Sequence, residues 1–134
     1  MFRRGSIVTF AIVATLAAVA GASRPESSDA CFADNSVTKV VPHRAAVPSG
    51  QGTYDRLVGA RAYVPAKPGL TGEWLHAQLA RRSSSPQQGT QCPLDVPGVA
   101  ISVASAGPGF WVSLAAQDHD DAKEVLRRTQ TLAR

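Results

Sequence analysis

The sequence contains few of the features that indicate a catalytic or metal-binding protein. It has no Gly-x-Ser-x-Gly motif, and its run of three serines, at 83–85, stands among turn-forming residues, as in a flexible connector. Its three histidines, His43, His76 and His119, lie far apart in the chain, so no pair has the close spacing of a preformed metal site. From these absences we predict no catalytic residues, no metal ligands and no cofactor.

A large excess of charge of one sign is also missing. The formal charge is +4, and it falls to +2 when Arg3 and Arg4 near the start are left out. Nucleic acids and anionic membrane surfaces attract proteins with strong basic patches. A charge this small therefore argues against either partner.

Long hydrophobic runs are absent apart from one near the start. Arg3 and Arg4 are followed by an uncharged apolar run at 7–20 and by small residues at 20–22, which are the three regions of a secretory signal peptide. The run has roughly 14 to 16 apolar residues and falls short of the about 20 that span a bilayer. We therefore predict a signal peptide at 1–22, a periplasmic or secreted protein, and no stable membrane span in the mature form.

Cysteine is limited to Cys31 and Cys92, both beyond the predicted signal peptide. In an exported chain an even number of cysteines favours a disulfide, with free thiols or metal ligands as the alternative. Such a bridge closes a loop of about 60 residues and contributes on the order of 4 kcal/mol in the chain-entropy estimate.

The segment 23–52 is rich in Ser, Pro, Gly and Asp, and Pro42 and Pro48 are placed to interrupt any long element. This composition predicts a flexible N-terminal arm, which the disulfide would hold to the rest of the protein. The alternative is a short edge strand at Val40 and Val41.

Hydrophobic periodicity predicts the elements of the remaining chain, 53–134. Alternation of apolar with polar or small residues indicates half-buried strands, and recurrence at three- to four-residue steps indicates helices with one buried side. The Gly107-Pro108-Gly109 stretch is typical of a turn between two strands. The predicted strands are 57–64, 99–104 and 110–117, and the predicted helices are 71–82 and 118–133.

Local signals support both helices. Thr71 is placed to cap the first, and Asp118 or Asp120 to cap the second. Glu124 and Arg128 stand at the i,i+4 spacing that favours an ion pair. The alternative for the Asp-His-Asp-Asp cluster is a cation site or a general base, but the glycine and glutamate of a calcium-binding EF-hand loop are missing.

The order β-α-β-β-α predicts a small two-layer α+β sandwich, with both helices on one face of a three-stranded sheet. We expect 53–134 to form this single domain. The part from about 101 to 132 is similar in element order to one half of the periplasmic BON-type domains. It lacks the Gly-Val strand that follows in that family and contains no functional motif to carry over.

The best candidate for a binding surface is the sheet face that carries Trp111. This residue alternates with Phe110 and Val112, so it points away from the predicted helices, and Tyr63 and Arg61 extend the same face. We predict a small exported binding or structural module that is not an enzyme, with a protein, peptide or glycan as its partner. As a structural alternative, the arm 23–52 covers this face. As functional alternatives, the protein binds a metal through the scattered histidines, or it is an enzyme of unknown class.

Overall fold

The computed structural model describes residues 31–33 and 35–133, which form one sheet and two helices. The predicted signal peptide, 1–22, lies outside the described residues. The strands are β1 (Lys39–Ser49), β2 (Gly52–Pro65), β3 (Ala100–Ala106) and β4 (Gly109–Ala115). The helices are α1 (Gly72–Ser83) and α2 (His119–Gln130), and a short 3₁₀ helix, Pro93–Asp95, precedes β3.

The sheet has four antiparallel strands in the order β1-β2-β4-β3. The α+β class is therefore confirmed, whereas the predicted count of three strands and the order β-α-β-β-α are wrong. The additional strand is β1, which includes Val40 and Val41 and lies within the segment predicted as an arm. Pro42 and Pro48 are compatible with this strand because it lies at the edge of the sheet, where a proline without an N–H disrupts pairing least.

The hairpin of β1 and β2 is longer than the sheet that it enters. Only the part from Gly59 to Pro65 pairs with β4, whereas the part of β2 before Gly59 pairs with β1 alone. The hairpin therefore continues beyond the sheet as a two-stranded ribbon. The sequence predicted only the part of β2 that enters the sheet, because alternation of apolar residues is lost in the exposed ribbon.

The hydrophobic core lies between one face of the sheet and the two helices. On this face Ala62, Val112 and Leu114 are fully buried. Helix α1 begins against the side chains of Phe110 and Val103, and both helices bury apolar side chains in the same cluster. The buried apolar residues that the helices contribute are Leu75, Leu79, Ala122 and Val125.

The segment before β1 is fixed to this core by a disulfide. Cys31 and Cys92 are bonded, with their Cα atoms 5.6 Å apart, as the sequence predicts. The adjacent Phe32 is completely buried. Sequence reasoning missed Phe32, because a single aromatic residue in a polar segment has no periodicity that indicates burial.

The two helix starts differ in how they are capped. The Thr71 hydroxyl accepts a hydrogen bond of 3.2 Å from the Trp74 backbone N–H, so the predicted cap of α1 is confirmed. Asp118 is the residue before α2, but its side chain makes no capping hydrogen bond. The expectation of a side-chain cap by this residue is therefore wrong.

We expect Thr71→Ala to lower the free energy of unfolding by about 1 kcal/mol, because it removes this hydrogen bond. Asp118→Ala is the matched control. In high salt, which screens the helix dipole, its loss of stability is expected to be smaller than that of Thr71→Ala. Urea denaturation of both variants measures the difference. Equal losses would contradict the capping assignment.

Candidate functional site

The second face of the sheet, opposite the helices, is the candidate site, and we call it the open face. Strand register and alternation define its residues. Every one of these side chains is exposed or half-buried. They are Lys39, Val41, His43, Arg61, Tyr63, Ala100, Ser102, Ala104, Ala106, Trp111, Ser113 and Ala115.

Trp111, Tyr63 and Arg61 form one cluster on the open face, which brings together the residues selected from the sequence. The Tyr63 and Trp111 rings meet edge to face, with their centroids 5.2 Å apart and their planes at 64°. The Arg61 guanidinium carbon lies 5.0 Å from the Trp111 ring centroid. Lys39 adds a second cation, with its ammonium nitrogen 6.0 Å from that centroid.

The sheet register places these residues next to one another. Tyr63 pairs with Trp111 between β2 and β4, and Lys39 pairs with Tyr63 between β1 and β2. The Tyr63 hydroxyl donates a hydrogen bond of 3.2 Å to the Ala106 carbonyl, which orients the ring across the end of β4. Gly109 is required there, because a Cβ would lie 2.7 Å from the Tyr63 ring and 2.5 Å from the Val64 carbonyl oxygen.

The described part of the segment 23–52 does not lie over Trp111. Cys31, Phe32 and Val37 belong to the core on the helix side of the sheet, and β1 extends the sheet edge. Within the described residues this segment therefore contributes Lys39 to the cluster instead of covering it. Sequence reasoning missed Lys39, because the alternative of an edge strand covered only Val40 and Val41.

Small residues surround the aromatic cluster on the β3 side. Ala104 pairs directly with Trp111, and Ser102 pairs with Ser113. The Trp111 indole is half-buried, with these short side chains on its β3 side. The open face therefore combines small side chains on β3 with one cationic and aromatic cluster.

The three histidines occupy different elements. His43 lies on β1, His119 is the first residue of α2, and His76 lies on α1 with its Nε2 3.2 Å from the Ile101 carbonyl oxygen. Within residues 31–33 and 35–133, no group of three or more His, Cys, Asp or Glu side chains is placed to hold a metal ion. The Asp-His-Asp-Asp cluster at the start of α2 likewise forms no such group.

A cleft that the sequence did not predict is lined by none of the open-face residues. It is a cleft of about 580 Å³ between the loop after α1 and the segment before β3, lined by residues that include Gln88, Thr90, Asp95 and Arg128. The sequence signal was weak, because Gln88 and Thr90 stand in a polar loop without periodicity, and Asp95 and Arg128 lie on other elements.

Asp95 holds this cleft together by hydrogen bonds on both carboxylate oxygens. Arg82 donates two, of 2.6 Å and 2.9 Å, and the Gln87 backbone N–H and the Thr90 hydroxyl donate two more. Burial raises the pKa of Asp95, but these hydrogen bonds and the charge of Arg82 outweigh it, so the pKa lies below the ordinary value of 3.8. The carboxylate is therefore ionised and used to anchor the loop.

Comparisons with protein-family models, with curated proteins and with solved structures found no match to this chain. Among the described residues, none of the helices is long and apolar enough to cross a membrane. The chain's own residues therefore indicate its function, and the aromatic and cationic side chains selected from the sequence meet on the open face.

Proposed function

We propose that the protein is an exported binding module, and that its open face binds a protein, peptide or glycan partner. One observation carries the proposal: Trp111, Tyr63 and Arg61 form a single cluster on the face of the sheet opposite the helices. Export is supported by the disulfide, which forms and persists in oxidising compartments, and by the signal-peptide pattern at 1–22.

The chemistry of the cluster supports a binding role. Tryptophan, tyrosine and arginine are the residues most enriched where binding energy concentrates. The mutual contacts of Tyr63, Trp111 and Arg61 restrict their rotamers before a partner arrives, which reduces the entropy lost on binding. The proposal assigns no reaction to the protein, and the buried carboxylate of Asp95 anchors a loop.

Peptide and glycan arrays, probed with the purified protein, test this proposal. We expect the ligands bound by the wild type to be lost with Trp111→Ala, because that change removes the centre of the cluster. The same variant is expected to lose about 2 kcal/mol of stability, because Trp111 is half-buried and its ring pairs with that of Tyr63.

Trp74→Ala is the matched control, since Trp74 is 46% exposed on α1 and belongs to the helix side of the molecule. It is expected to keep the ligands of the wild type. Ligand binding that survives Trp111→Ala would overturn the proposal. The proposal would also be overturned if the wild type bound no array ligand and Trp111→Ala lost several kcal/mol of stability, since Trp111 would then be a structural residue.

A further inference from the structure

The charged side chains of the open face all have the same sign. Lys39 and Arg61 are cationic, and no aspartate or glutamate belongs to this face. Both cations lie against the Trp111 ring, and neither is bonded to a carboxylate in the described part of the chain. Two like charges at one ring repel each other, so a bound anion would lower the electrostatic energy of the cluster.

We infer that the open face binds an acidic peptide in an extended conformation, an inference that rests on the binding role proposed above. The Arg61 guanidinium presents parallel N–H groups that match the two oxygens of a carboxylate. The Trp111 ring beside it offers apolar contact to the side chain that follows the acid. An aspartate or glutamate next to an apolar residue therefore matches both parts of the cluster.

The ring geometry favours a peptide over a stacked sugar chain. A flat glycan requires aromatic rings that lie in a common plane, whereas the planes of Tyr63 and Trp111 are inclined at 64°. The Arg61 guanidinium also lies over the Trp111 ring, where a sugar would have to stack. The cluster thus offers a guanidinium and the edge of an aromatic ring to a partner, and it lacks an open ring face on which a sugar could stack.

The amount of charge also distinguishes among anionic partners. Basic segments that bind anionic lipid carry about four to eight lysines and arginines. Duplex nucleic acid presents a phosphate about every 1.7 Å along its axis. Lys39 and Arg61 supply two charges, which matches a partner with one or two carboxylates.

The shape of the face matches an extended chain. Four strands spaced about 4.8 Å apart give a width of roughly 14 Å, which about four extended residues cover. Ala104, Ser102 and Ser113 form a floor of short side chains beside Trp111, and the two serine hydroxyls can bond a peptide backbone. A peptide that crosses the strands would therefore contact Trp111 and Arg61 without a steric barrier from β3.

Tryptophan fluorescence of the Trp74→Phe variant tests the inference, because Trp111 is then the only tryptophan in the chain. The probes are ten-residue peptides with Glu or Asp at alternate positions and Ala or Val between them. Each is compared with its Gln or Asn counterpart. We expect a saturable change of Trp111 emission with the acidic peptides only, weakened by raising the salt concentration.

Arg61→Gln in the same background is expected to weaken acidic-peptide binding at least tenfold. Lys123→Gln is the matched control: this exposed lysine lies on α2, on the opposite side of the sheet, and its loss is expected to leave the affinity unchanged. A loss of affinity as large with Lys123→Gln would overturn the assignment to Arg61, since net charge alone would then explain binding.

Other outcomes separate this inference from the proposed function. Equal binding of acidic and amide peptides would overturn the preference for acid but leave the open face a binding surface. Tighter binding of sulfated dextran or of phosphatidylserine vesicles would overturn the assignment to a peptide. A Trp111 response to protein concentration alone would instead assign the face to a second copy. No Trp111 response to the acidic peptides or to any array ligand would overturn both proposals.

Discussion

Replacement of both cysteines, Cys31→Ala with Cys92→Ala, is expected to lower the free energy of unfolding by about 4 kcal/mol. The bridge joins residues 61 positions apart, so its removal restores much conformational freedom to the unfolded chain. It also releases the anchor next to Phe32, whose side chain is completely buried. Urea denaturation at neutral pH measures the loss, and the m-value should rise because the unfolded chain becomes more expanded.

Reduction of the wild type provides the control for this experiment. A thiol-free reductant should bring the wild type to the stability of the double variant and leave the double variant unchanged. The open face lies across the sheet from the disulfide, so peptide binding at Trp111 is expected to persist wherever the protein remains folded. A difference below about 1 kcal/mol between oxidised and reduced protein would contradict a stabilising role.

The parts of the fold that the sequence predicts best are those that local patterns determine. Alternation identified β3 and β4 and the face to which Trp111 belongs, because period two places every second side chain on the same side of a strand. Thr71 identified the start of α1. Glu124 and Arg128 form the predicted ion pair at 2.7 Å, because residues four apart on a helix are neighbours.

Elements held by distant contacts could not be predicted. In β1 the prolines and charged residues are typical of a loop, and only pairing with β2 across the hairpin makes it a strand. This pairing brings Lys39 to the Trp111 ring, which no local pattern indicates. Phe32 is likewise buried through the disulfide, and its neighbours in the sequence give no sign of it.

The same distinction applies to Glu124 and Asp95, two carboxylates that bind arginines. Glu124 was found from its spacing on α2. Asp95 was missed because Arg82, Gln87 and Thr90 reach it from a loop and a helix end, and nothing in their spacing indicates a common acceptor. Asp95 is the more buried carboxylate, and its role was therefore harder to predict from the sequence than that of Glu124.

Asp95→Ala is expected to lower the free energy of unfolding by about 3 kcal/mol, because it removes a carboxylate that accepts hydrogen bonds from Arg82, Gln87 and Thr90. Asp95 has a side chain only 2% exposed, and its loss also leaves the Thr90 hydroxyl and the Gln87 N–H without this acceptor. Urea denaturation measures the loss. Glu124→Ala is the matched control, since this carboxylate also binds two arginines but lies at the surface, and its effect is expected to be much smaller.

The dependence of stability on pH provides a second measurement of the role of Asp95. Hydrogen bonds from Arg127 and Arg128 lower the pKa of Glu124 to about 2, and the pKa of Asp95 also lies below its ordinary value. A carboxylate whose pKa is lower in the folded state stabilises the protein above its unfolded pKa, about 4, and this stabilisation is lost as the pH falls through the folded pKa. We therefore expect wild-type stability to decrease below about pH 4, and this decrease to be smaller in Asp95→Ala. An unchanged acid profile in that variant would show that Asp95 does not anchor the loop as an ionised group.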